Sequence, residues 1–259
     1  MRDGQVDVEI TEQPTLKPVS PAAEVEAAIK HLDFDEIFRT YQEQNEFIVV
    51  ERFLDDAVVA PLVAEAQRMK SEINRNYIPK HKKGGSVSYF ALSRKAPAIL
   101  SLYRSAAFVD FLSRLAGARL LLCPDDDPHA CALYFYTEPG DHIGFHYDTS
   151  YYKGARYTVL VGLVERSSSR LVCQLYKDDP RRQTQELSVA TEPGTFVFFN
   201  GDKLYHSVSP LQSGEERIVL TMQYVISQRM GPFKRVVSNM KDAVAYFGIR
   251  SLFGRGAKS

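Results

Sequence analysis

The residue pattern changes at Gly117, and this change constrains the fold more than any other feature of the chain. From there to about residue 227, short runs rich in β-branched and aromatic residues recur over 119–123, 130–137, 157–164, 170–176, 186–190, 195–200 and 217–227. Turn signals punctuate them, among them Glu138-Pro139-Gly140-Asp141, Glu192-Pro193-Gly194 and Asn200-Gly201-Asp202. Many short strands with regular turns predict a sandwich or barrel. Upstream the periodicity is helical. Val25, Ala28, Ile29 and Leu32, then Phe34, Ile37, Phe38 and Tyr41, recur at steps of three and four. A short strand over 47–50 follows, then a helix capped at Asp55 or Asp56, with Pro61 near its first turn and a stripe of Leu62, Ala66, Met69 and Ile73. A further helix spans about 96–115. Helices first and strands second predict an α+β fold, one β-core with a helical layer laid against it.

Residues 1–20 carry Pro14 and Pro18 without apolar period and read as a flexible tail. Residues 21–259 read as a single domain, closing on a helical pattern near 240–253. The segment 77–90, with Gly84-Gly85 behind three lysines, reads as a mobile loop able to close over a pocket. Lys plus Arg and Asp plus Glu each number 32, so the formal charge is zero. Nucleic-acid recognition needs a positive field and starts at a disadvantage. No apolar run reaches about 18 residues, so no membrane-spanning helix is expected. The N-terminus lacks an apolar signal-peptide core. The three cysteines, Cys123, Cys131 and Cys173, form no CxxC pair. They suit a reducing, cytoplasmic setting.

Among six histidines the informative one is His146, which stands two residues before Asp148. At a strand end that spacing turns both side chains to one face. An imidazole and a carboxylate on one face can hold adjacent positions of one metal. His206, 58 residues beyond Asp148 and just after a β-run, qualifies as third ligand. Two histidines and a carboxylate suit non-haem Fe(II), with three positions left open; zinc is the rival metal. In the strand after His206, period two puts Arg217, Val219, Thr221 and Gln223 on one face. An arginine pointing inward there needs an anion to meet it. A metal-chelating dicarboxylate fits that need. The alternative is a rim arginine paired with Glu215 or Glu216. Hydrolase-elbow, dinucleotide and zincin motifs (GxSxG, GxGxxG, HExxH) are absent.

Together these residues resemble the Fe(II)/2-oxoglutarate-dependent dioxygenases, particularly the prolyl-hydroxylase-like branch with its double-stranded β-helix, or jelly-roll, core. The resemblance covers roughly residues 119–227. It implies that His146, Asp148 and His206 bind iron and that Arg217 holds the distal carboxylate of 2-oxoglutarate. A tyrosine ten residues before the first ligand matches Tyr136, and a threonine four after the basic residue matches Thr221; both are implied to hydrogen-bond the co-substrate. The segments 82–88 and 137–152 look like a small bacterial group of free amino-acid hydroxylases related to carrier-independent halogenases. Those halogenases have Gly or Ala where Asp148 stands, so the resemblance implies hydroxylation. The expected partners are Fe(II), 2-oxoglutarate, O₂, ascorbate as activator and a small polar metabolite, best a free L-amino acid. No nucleic acid and no membrane are expected, and the chain is expected to be a monomer or homodimer. Arg75 and His129 are the weaker candidates for substrate contact. Against Arg75 stands an exposed arginine at a helix end, and against His129 a structural hydrogen bond. The rival functions are a hydroxylase or demethylase acting on protein or nucleic acid, and a non-catalytic β-barrel that binds ligand.

Overall fold

The computed structural model describes residues 21–148 and 152–229. The expected tail over 1–20 and the helical pattern at 240–253 lie outside the described residues. The two N-terminal periodic runs form α1 (Pro21–Lys30) and α2 (Phe34–Glu43). The Asp33 carboxylate starts α2 by accepting the Glu36 N–H at 3.1 Å. After β1 (Phe47–Val50) comes α3 (Asp56–Arg68), capped by Asp55, with Pro61 one turn further in than its spacing suggested.

Two expectations are corrected here. The stretch 77–90 is not a mobile loop. It lies mostly in a hairpin of β2 (Asn74–Ile78) and β3 (Lys82–Val87), and from Gly84 to Tyr89 it is buried. Gly85 is there for close approach rather than for freedom. A Cβ on Gly85 would stand 2.6 Å from Ile73 Cγ2 and 3.3 Å from Phe135 Cβ. The single helix expected over 96–115 is broken in two. After α4 (Tyr89–Lys95) come α5 (Pro97–Tyr103) and α6 (Ala106–Ala116), the last restarted by Ser105, whose hydroxyl accepts the Phe108 N–H. Gly117 ends α6 in the left-handed region, at φ 63°.

The strands are β4 (Leu121–Leu122), β5 (Cys131–Tyr136), β6 (His142–His146), β7 (Arg156–Arg166), β8 (Leu171–Leu175), β9 (Gln185–Val189), β10 (Phe196–Asn200), β11 (Tyr205–Val208) and β12 (Glu216–Val225). Eight of them, β5 to β12, make the jelly roll. One half runs β10-β7-β12-β5 and the other β6-β11-β8-β9, with β3 joining β5 to β6 at the seam. All pairings are antiparallel.

Period-two alternation divides the core into two. On β10, Phe196 and Phe198 face the helices, where Phe53 and Tyr41 lie 4.8 and 5.3 Å away ring to ring. Val197 and Phe199 face the interior of the roll, beside Leu171, Leu175 and Val219. Each fully buried aromatic contributes roughly 1.5–3 kcal/mol relative to exposure, which holds the helical layer on the sheet. On β12 the same alternation sends Ile218, Leu220, Met222 and Tyr224 to the helices and leaves the other face to the roll's interior. No described helix is long and apolar enough to cross a membrane.

Candidate metal centre and active site

His146 ends β6, and in the β6–β11 pairing it stands directly opposite His206. That register brings the imidazole centroids to 4.3 Å. Asp148 follows two residues after His146, its Oδ1 3.4 Å from His146 Nε2. Ligand atoms of His146, Asp148 and His206 all lie within 4.8 Å of one another. Each imidazole is oriented by its own strand: His146 Nδ1 is 2.9 Å from the Gly144 carbonyl and His206 Nδ1 is 3.1 Å from that of Leu204. A carbonyl only accepts, so both Nδ1 atoms carry a proton, and Nε2 is the atom that each ring turns toward the shared space.

The electrostatics agree with that donor set. Burial, then the neighbouring His146, push the His206 pKa down to about 4. Burial also opposes a charge on His146, but the Asp148 carboxylate and the Gly144 carbonyl outweigh it, and its pKa is raised. Burial alone would raise the Asp148 pKa; the hydrogen bond from His146 and the charges of both histidines hold it well below the usual carboxylate range. A divalent cation takes an ionised carboxylate together with imidazoles that have given up the Nε2 proton, and it would displace the one that His146 shares with Asp148. The residues fit iron.

The cluster opens on a cavity of ≈ 170 Å³. Arg217, Tyr136, Thr221 and His129, all expected at the site, line it, with Leu160, Leu171, Val208 and Val219 as its apolar wall. Arg217 is 1% exposed, so the rim pairing with Glu215 or Glu216 does not occur. Its Nε lies 3.3 Å from the buried Glu165 carboxylate and 3.1 Å from Thr191 Oγ1, and its guanidinium sits 5.5 Å from the Tyr136 ring. The anion expected to meet it is thus in part a residue of the chain itself.

Arg217 is also not the cavity's only buried cation. Arg156, on β7, is 5% exposed and lines the same space. It stands one residue before the run that the sequence marks from Tyr157, so no local pattern singled it out.

Arg75 is not among the cavity's lining residues. It lies on β2 rather than at a helix end, and it forks onto Asp141 at 2.6 and 2.9 Å and meets Glu138 at 2.9 Å. Asp141 in turn accepts the backbone N–H groups of Thr137 and Glu138. Arg75 therefore braces the 137–141 turn, and its carboxylate partner is internal. His142 belongs to β6 rather than to that turn. Tyr152 is buried and donates to Asp127 at 2.9 Å.

Residues 30–155 match the family model described as Halogenase D. No curated protein matches the sequence. Among solved structures, the epimerase SnoN in complex with Fe³⁺, α-ketoglutarate and nogalamycin RO is similar at TM-score 0.64 and 17% identity, over 87% of this chain and 92% of that one. A prolyl hydroxylase from Trichoplax adhaerens, in complex with a hypoxia inducible factor peptide fragment, is similar at 0.60 and 13%, over 88% and 98%. An oxidoreductase of the 2OG-Fe(II) oxygenase family from Burkholderia pseudomallei is similar at 0.59 and 14%, over 78% and 95%. Likeness at these identities is one of fold. The class of protein whose fold this chain shares is the Fe(II)/2-oxoglutarate-dependent oxygenases, and its His-Asp-His cluster fits iron binding. Within that class, the particular likeness in sequence is to the Halogenase D family, over just under half of the chain.

Proposed function

We propose that the protein hydroxylates an unactivated C–H bond of a small polar metabolite, a free L-amino acid in the first instance. The observation that carries this reading is the convergence of His146, Asp148 and His206 on one wall of a small cavity that also holds Arg217. In this reading the three residues hold Fe(II), and Arg217 binds the distal carboxylate of 2-oxoglutarate, helped by Tyr136 and Thr221. Iron and 2-oxoglutarate, when bound with O₂, supply the oxidising power for C–H cleavage, with succinate and CO₂ as co-products. The chain's own part is positioning. The two Nδ1–H···O=C bonds fix the imidazoles, and Leu160, Leu171, Val208 and Val219 keep water from the reacting centre. Succinate release across a panel of free amino acids, with Fe(II), ascorbate and 2-oxoglutarate present, tests the proposal. Release above the substrate-free rate with none of them would sink the amino-acid assignment.

The Halogenase D match supports a second reading, halogenation of the same kind of substrate. Asp148 speaks against it. Its Oδ1 already faces His146 Nε2 at 3.4 Å, and a carboxylate there takes the position that a halide would need. The product is therefore expected to be hydroxylated even in saturating chloride. A chlorinated product from the unaltered protein, read by mass spectrometry, would remove Asp148 from the ligand set.

A further inference from the structure

Asp148 has a second oxygen, and the structure gives it a dedicated partner. Thr158 on β7 donates to Asp148 Oδ2 at 2.7 Å. In the β7–β12 register Thr158 stands directly opposite Gln223, so their side chains share one face. Arg156, two residues before Thr158, shares that face too. Its Nε donates to Gln223 Oε1 at 2.9 Å, and its Nη2 meets Asp127 Oδ2 at 3.2 Å. Asp127 is anchored in turn by the His129 N–H at 2.8 Å and the Tyr152 hydroxyl at 2.9 Å. All the side chains of this chain of contacts behind Asp148, except the half-buried His129, are buried.

The donor and acceptor count gives the chain a direction. Thr158 has one hydroxyl hydrogen and two acceptors within reach, Asp148 Oδ2 at 2.7 Å and Gln223 Oε1 at 3.1 Å. Gln223 Oε1 already receives a charged donor from Arg156, which leaves the Thr158 hydrogen to the carboxylate. The bond to an ionised acceptor is also the stronger of the two. From the other side Gly201 closes the position. A Cβ there would lie 2.5 Å from the Asp148 carbonyl oxygen and 2.9 Å from its Cβ.

We infer that Thr158, held by the Gln223–Arg156–Asp127 network, is a positioning residue that fixes the Asp148 carboxylate so that it offers one oxygen, Oδ1, to the metal. Tied through Oδ2, the carboxylate takes one coordination position rather than two. The two histidines and this single oxygen then leave the remaining positions for co-substrate and oxygen. The inference rests on the metal reading above.

Cobalt(II) serves as probe, because it keeps the donor geometry and its visible absorption reports the ligand arrangement. Thr158→Val keeps the side chain's shape and removes the donor. It is expected to weaken Co(II) binding roughly 10- to 100-fold, the usual cost of losing an outer partner of a ligand, and to change the visible spectrum as Oδ2 is released. Thr158→Ser restores the hydroxyl and is expected to return both affinity and spectrum to wild type. A change of packing alone would not be reversed by serine, which is the smaller side chain. A Thr158→Val protein with wild-type cobalt affinity and spectrum overturns the relay and leaves the metal site standing. So does a Thr158→Ser protein that behaves like the valine variant. A wild-type protein that takes up no cobalt overturns the metal site, and the relay with it.

Discussion

In the proposed reading Arg217 serves both stability and binding with a single side chain. Its guanidinium is nearly sealed from water, and Glu165, itself 2% exposed, is the carboxylate at its side. Removing one member of such a pair leaves the other charge buried without its partner, and the cost mixes with any effect on binding. Arg217→Met alone is therefore expected to lower stability as well as 2-oxoglutarate affinity. The double variant Arg217→Met/Glu165→Gln separates the two. It is expected to recover folding stability while its 2-oxoglutarate KM stays raised by about 2–5 kcal/mol, or at least roughly 30-fold. A double variant with wild-type KM would remove Arg217 from the co-substrate site. The proposed metal ligands differ from Arg217, because their imidazoles line the cavity without an ion pair to the core beneath it. His146→Ala and His206→Ala are each expected to abolish turnover and Fe(II) binding while circular dichroism stays that of the folded protein. Turnover in either variant would contradict the ligand assignment.

At the scale of elements, what the sequence revealed and what it hid have a common physical cause. The strands with one apolar face over the helices, such as Phe196–Asn200 and Glu216–Val225, announce themselves by composition and turns, and they are found within a residue or two of their expected bounds. The convergence of His146, Asp148 and His206 was legible because the two-residue step from His146 to Asp148 at a strand end puts both side chains on one face. The hairpin of β2 and β3 was hidden. Lys82-Lys83-Gly84-Gly85 carries none of the β-branched residues that mark a strand, yet β3 sits between β5 and β6. What makes it a strand is contact made from a distance. Backbone pairing with Phe135 and Tyr134 on one side and Ile143 on the other fixes the strand, the approach to Ile73 and Phe135 needs a small residue at Gly85, and no local pattern encodes such partners. Likewise Arg156 and Thr158 became site residues only through the register with Gln223. Gly85→Ala tests the hairpin. Its methyl would enter a 2.6 Å gap to Ile73 Cγ2, and overpacking of this kind costs about 1–3 kcal/mol. Chemical unfolding is expected to show that loss. An unchanged or raised midpoint would mean that β3 is not packed against Ile73 and Phe135.

For the molecule as a whole, the balance of 32 basic against 32 acidic residues leaves no net field to dominate its response to pH. Individual buried groups decide it, and Lys82 is the clearest case. Its side chain is 1% exposed, with Nζ 4.6 Å from the centre of the Tyr134 ring, and burial lowers its pKa from 10.5 to about 7. Below pH 7 the ammonium is charged in both folded and unfolded chains, so its burial penalty is present in full and does not vary with pH. Between about 7 and 10.5 the unfolded chain still holds this proton and the folded chain has released it. The penalty therefore shrinks as pH rises, and Lys82 makes stability climb by at most about 1.4 kcal/mol per pH unit. Other groups act the opposite way. The buried thiols of Cys123, Cys131 and Cys173 have raised pKa values, so the unfolded chain loses those protons first and stability falls in alkali. The comparison that isolates Lys82 is the difference between wild type and Lys82→Met, a substitution that keeps an unbranched side chain in the same space. The variant is expected to be the more stable protein at pH 7, and its advantage is expected to fade steadily toward pH 10. Denaturant unfolding at several pH values measures both. An advantage that stayed constant across that range, or a variant less stable at pH 7, would show that Lys82 keeps its proton in the folded state.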